Sequence, residues 1–97
     1  MAIQTHRGVK VLDVAWGSSD YFQQHCHEVC ASAAPEICIE IISPSNSEKE
    51  MLKKIALYLK SGAIEVWLVD EQGTIRFFNA DGQLQKSGFE VDIGQFL

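Results

Sequence analysis

The 97-residue sequence has no apolar run long enough to cross a membrane, and its opening, "MAIQTHRGVK", lacks the apolar core of a signal peptide. Both absences point to a cytoplasmic protein with no membrane partner. Cysteine is scarce: Cys26, Cys30 and Cys38 make an odd number, and in that compartment thiols stay reduced. Positive charge is in the minority, with 8 basic residues against 13 acidic and a formal net charge of −5. This argues against a surface coated in positive charge for non-specific nucleic-acid binding, although a local basic cleft answers to the field at its own position. No glycine pattern matches a dinucleotide- or phosphate-binding loop. Repeats, low-complexity runs and linkers are absent too. What remains is 46% hydrophobic and 22% charged, an ordinary globular composition for one small domain over residues 1–97 with a modest core.

Hydrophobic periodicity supplies the elements. "VKVLDVAW", residues 9–16, alternates, with Val9, Val11, Asp13 and Ala15 on one side and Lys10, Leu12, Val14 and Trp16 on the other, which predicts one strand. Ser18 or Ser19 can cap a short helix after it. "EICIEIIS", residues 36–43, predicts a strand that sets Cys38, Glu40 and Ile42 on one face and Ile37, Ile39 and Ile41 on the other. The strongest helix is "SPSNSEKEMLKKIALYLKSG": Asn46 or Ser47 can cap it, acids fill its first turn, and Lys60 with Gly62 mark its end. Its apolar stripe is Met51, Leu52, Ile55, Tyr58 and Leu59. "IEVWLVD" is a further strand, followed by "TIRFFN" and a last short strand near residues 83–87. Strand, helix and strand in close succession predict a βαβ unit with two parallel strands and a right-handed crossover. The class is therefore α/β with a mixed sheet, one main βαβ unit and a C-terminal antiparallel hairpin.

Two strands each carry one carboxylate among apolar residues: Asp13 and Glu40. A buried unpaired charge costs several kcal/mol, so such an acid must be paired, neutralised or bound to a cation. If the strands are neighbours, the pair can hold a hard cation such as Mg²⁺ or Mn²⁺, with water and phosphate oxygens completing the shell. Lys54, at the border of the helix stripe, is the lysine that could reach such a site with its stem on the core, whereas Lys53 and Lys60 point away. The plainer alternatives are a solvated helix face for Lys49, Lys53, Lys54 and Lys60, and strand acids open to water. The cluster "HCHEVC" (His25, Cys26, His27, Glu28, Cys30) suggests zinc, but structural zinc uses two separated ligand pairs and only His6 and Cys38 remain elsewhere. A catalytic thiol paired with His27 lacks an orienting third group. Trp67, Phe77 and Phe78 are expected in the core.

"APEICIEIISPSNSEKEMLKKIALYLKSGAIEVWLVDEQGTIRFF" resembles the signature region of a bacterial family of "putative restriction endonucleases" in the PD-(D/E)XK nuclease superfamily. The match to its Ala-Pro-Asp, Val-Glu-Val-Leu-Ser-Pro-Ser, Glu-Lys-Leu and Glu-Tyr-Trp-Leu-Val-Asp pattern runs without a gap from Ala34 to Asp70. "KVLDVAW" resembles the family's Pro-Asp-Val strand and "SGFEVDIGQFL" its closing segment. The resemblance implies a restriction-endonuclease-like core and a metal-dependent endonuclease acting on DNA. Asp13 and Glu40 would be the metal-binding acids, and Lys54 would assist. Ser43 and Ser45 match family serines expected to cap the helix and shape the turn. Ile42 stands where the motif has lysine, Leu12 where it has proline, and Glu36 where it has aspartate. The chain begins at the first motif strand, without the N-terminal part of the family domain, which would leave a strand edge and apolar surface open to a homodimer. The competing expectation is a catalytically inactive relative serving as an oligomerisation or interaction module.

Overall fold

A computed structural model describes residues 1–28 and 30–89. In chain order they form β1 (Ala2–Thr5), β2 (Gly8–Val11), β3 (Val14–Trp16), α1 (Ser19–His25), β4 (Ile37–Ile41), α2 (Glu48–Lys60), β5 (Glu65–Val69), β6 (Ile75–Asn79) and β7 (Gly82–Leu84). β1 and β2 make a hairpin of their own, and the other strands form a sheet in the order β3-β4-β5-β6-β7. Only β4 and β5 pair in parallel, with Ile39 opposite Trp67 and Glu40 opposite Leu68; the remaining pairs are antiparallel. The βαβ unit, the mixed sheet and the terminal hairpin are thus as the periodicity predicts.

Alternation along β4 and β5 buries both faces of the sheet. Cys38, Val66 and Leu68 pack with Met51, Ile55 and Tyr58 of α2, while Ile37, Ile39, Trp67 and Val69 form a second cluster on the opposite face. Trp16, Phe77 and Phe89 pack against that second cluster. α2 starts where Ser47 accepts a hydrogen bond from the Glu50 N–H at 3.1 Å. It stops at Gly62, whose φ of +116° lets the Ala63 N–H bond back to the Tyr58 carbonyl. Ser18 caps α1 by accepting from the Tyr21 N–H.

Several details differ from the periodic reading. The strand expected over residues 9–16 is two strands, because the chain changes partners at Leu12–Asp13: β2 pairs with β1, and β3 pairs with β4. Leu12 turns into the core at 3% exposure and Asp13 sits at the break. An alternating pattern does not register such a change of partner. β1 has no counterpart in the reading above; its Ile3 is fully buried, and a bridge between Ile3 and Ala31 ties the hairpin to the body. Leu52 is half-exposed, and Leu57, on the side of α2 that faces the β1–β2 hairpin, is buried in its stead. The last strand is Gly82–Leu84, not 83–87, because Ser87 and Gly88 turn back to the Glu65 carboxylate. In the closing segment "SGFEVDIGQFL", residues 90–97 lie outside the described residues.

Candidate active site

Glu40 lies in the middle of β4 on the α2 face and is 3% exposed. Its Oε1 accepts a hydrogen bond from the Tyr58 hydroxyl, and the Lys54 ammonium stands 3.6 Å from the same oxygen. Tyr58 and Lys54 occupy adjacent turns of α2, so one helix supplies both partners. Asp13 comes from the other side. Placed just before β3, it accepts a hydrogen bond from the Ile41 N–H at 2.9 Å through Oδ2. From there it acts on Glu40, whose carboxyl it helps to hold above the ordinary range. The three residues singled out in the sequence therefore converge, from the β2–β3 junction, β4 and α2.

The electrostatics of the pair are unfavourable without a further positive charge. Burial pushes the Glu40 carboxyl above its ordinary range, and Asp13 adds to the rise. Tyr58 and Lys54 oppose both but do not cancel them. The tyrosine hydroxyl is in turn held well above its usual range by burial and by Glu40, so it stays a donor. Cys38, two residues away on the same face, is pushed up to about 12 by burial and by Glu40, which keeps it a neutral thiol.

Two hard oxygen donors beside one another fit a cation such as Mg²⁺, which takes one or two carboxylates and fills its shell with water and phosphate oxygens. Burial of Glu40 with Asp13 acting on it is what makes the fit favourable, since a bound cation would offset the cost of the charged carboxylates. Among the described residues no group of three His, Cys, Asp or Glu side chains converges. Ile42, in the place of the motif lysine, packs against the core cluster instead.

Other candidates resolve into local structure. α1 ends at His25, so Cys26 and His27 lie beyond the helix. The His25 ring is bonded to Glu28. Ser43 and Ser45 hydrogen-bond each other at 2.7 Å, and the Ser43 N–H donates to Asn46 Oδ1, so they shape the turn while Ser47 caps the helix. Glu36 accepts from the Ser18 N–H at 2.7 Å and holds the start of α1. One buried acid was missed. Glu65, 3% exposed, accepts from Trp67 Nε1, Ser87 Oγ and the Gly88 N–H. The signal that marked Glu40, one acid in an apolar strand, was present there as well.

The fold has a solved counterpart. A crystal structure described as a putative nuclease belonging to DUF820 from Anabaena variabilis superposes with a TM-score of 0.67 at 22% identity, over 98% of this chain and 57% of that one. At that identity the likeness concerns the fold, and the chain spans a little over half the length of its counterpart. No curated protein matches the sequence. The family model described as "Uma2: Putative restriction endonuclease" matches residues 7–94, nearly the whole chain. The chain belongs to the Uma2 family.

Proposed function

We propose that this chain is a Mg²⁺- or Mn²⁺-dependent endonuclease that hydrolyses phosphodiester bonds in DNA, working in the cytoplasm. The observation that carries the reading is the convergence of Asp13, Glu40 and Lys54 from three separate elements around one buried carboxylate. Asp13 and Glu40 would hold the cation, which when bound supplies a polarised phosphodiester and an activated water. Tyr58 fixes the Glu40 carboxylate in one orientation by its hydrogen bond. Lys54, with its side chain 48% exposed, can turn its ammonium from Glu40 toward a phosphate and stabilise the charge that develops there. The test is cleavage of plasmid and single-stranded DNA with Mg²⁺ or Mn²⁺. Glu40→Ala and Asp13→Ala should abolish cleavage, and Lys54→Ala should slow it about a hundredfold. Absence of cleavage, or cleavage indifferent to Glu40→Ala and Asp13→Ala, removes the enzyme reading.

A second reading has its own observation. Val9 and Val11 on β2 are 55% and 69% exposed, and Ile42 replaces the motif lysine, features suited to an inactive domain that pairs with a second copy of itself. Light scattering separates the readings: a monomer with Glu40-dependent Mn²⁺ binding by calorimetry supports the nuclease, and a dimer without such binding supports the interaction module.

A further inference from the structure

The β1–β2 hairpin stands off from α2 and leaves a groove of about 420 Å³ between them. Arg7 at the hairpin turn and Lys10 on β2 form one wall; Lys53, Lys54 and Lys60 of α2 form the other. Five of the chain's eight basic residues thus line one groove, and among the described residues no acid lines it. On α2 the wall is the stripe Lys53, Ala56, Leu57 and Lys60, at i, i+3, i+4 and i+7, a different face from the Met51, Ile55 and Tyr58 stripe that enters the core. Leu57, 6% exposed, makes an apolar floor along which the lysine stems can lie. Among the described residues only Lys54 of the five forms an ion pair, and its partner is Glu40. Among the described residues no carboxylate lines the groove between Arg7, Lys10, Lys53 and Lys60, so their mutual repulsion is a cost that a bound polyanion would relieve.

We propose that this groove is the docking track for the phosphate backbone of a nucleic acid, and that Lys54 marks its junction with the Asp13–Glu40 pair. The inference rests on the nuclease reading for its choice of polyanion, since an acidic polypeptide offers the same charge but nothing for that pair to act on. Lys53 and Lys60 are about 10 Å apart along the helix axis at ~1.5 Å per residue. That separation equals roughly three base steps of rise along a duplex axis at ~3.4 Å per step. The contacts are to backbone and not to base edges, so binding is indifferent to sequence. Arg7, Lys10, Lys53 and Lys60 hold the flanking chain, while Lys54 serves the phosphate at the acid pair.

The experiment is fluorescence anisotropy of a labelled duplex of arbitrary sequence, with the full chain, in EDTA, across a range of salt concentrations. The slope of log Kobs against log salt should become shallower by about 0.9 for each lysine removed in Lys53→Gln, Lys60→Gln and Lys10→Gln. Lys49→Gln, on the same helix outside the groove, should leave it unchanged. Circular dichroism confirms that each exposed substitution leaves the fold intact. Unchanged slopes in the Lys53→Gln/Lys60→Gln double variant, no binding of duplex at any salt, or equally tight binding of polyglutamate overturns the proposal. Binding that depends on the groove lysines, without cleavage when Mn²⁺ is added, keeps the groove and rejects the nuclease reading. Metal-dependent cleavage with unaltered affinity in the double variant does the reverse.

Discussion

Asp13 Oδ2 and the backbone N–H of Ile41 are joined at 2.9 Å, one residue beyond Glu40 on the same strand. The bond fixes where the Asp13 carboxylate can stand, because the strand that carries Glu40 also holds Asp13. It also gives Asp13 two separable tasks, one as a hydrogen-bond acceptor and one as a charge.

Asp13→Asn retains an acceptor for Ile41 and removes the charge, whereas Asp13→Ala removes both. The asparagine variant should unfold within about 0.5 kcal/mol of the wild type and the alanine variant about 1 kcal/mol below it in urea titrations. Both should lose Mn²⁺ binding by calorimetry. Equal destabilisation of the two variants would mean that the hydrogen bond contributes nothing.

Glu40 predicts a pH dependence. Its carboxyl is raised above the ordinary value of 4.5 in the folded protein, so between that value and its folded pKa the native state holds more protons than the unfolded chain. This contribution is full below about 4.5 and is lost as pH rises through the folded pKa. Glu40→Gln cannot ionise and escapes the loss. In EDTA, the stability of Glu40→Gln relative to wild type should therefore improve from acid toward neutral pH, and added Mn²⁺ should raise the melting temperature of wild type alone. A difference that stays flat with pH contradicts this account.

How far the site was legible depended on whether its parts were local. Glu40 announced itself as a lone acid in an isoleucine-rich strand, and the angular position of Lys54 on its helix brought it to the border of the core. Tyr58 was visible as a stripe residue, but its hydroxyl bond to Glu40 was not, since a phenol in a core stripe carries no sign of its partner. Asp13 was found on the wrong kind of element, because a change of strand partner between Leu12 and Val14 leaves the alternation of side chains intact. The basic groove could not be read at all: Arg7 and Lys10 meet Lys53 and Lys60 only through the packing of a hairpin whose first strand had not been recognised. Glu65 was legible and overlooked.

The ends of α2 offer a test of local energetics. Ser47→Ala removes the acceptor for the Glu50 N–H and should cost about 1 kcal/mol. Gly62→Ala should cost about 1–2 kcal/mol although there is room for the methyl group, whose nearest neighbour is the Ala33 Cβ at 3.8 Å, because the backbone there has a φ of +116°. Denaturant unfolding measures both, and a neutral Gly62→Ala would show that the helix end can rearrange.

Glu65 should matter for stability and not for chemistry. Glu65→Leu leaves Trp67 Nε1, Ser87 Oγ and the Gly88 N–H without their acceptor and should cost about 2–3 kcal/mol, while Ser87→Ala should cost about 1 kcal/mol. Tryptophan emission follows the unfolding and should shift even in the folded Glu65→Leu protein. DNA affinity should be unchanged in Ser87→Ala.

The groove gathers positive charge in a chain whose formal net charge is −5. It is lined by Arg7, Lys10, Lys53, Lys54 and Lys60, while the remaining sequence holds three basic residues against thirteen acidic ones. If that groove is the docking track, net negative charge disfavours a polyanion in general while the local field at the groove favours it. Encounters are thereby filtered by orientation before any contact forms. Net acidity would then sharpen selectivity by disfavouring encounters away from the groove.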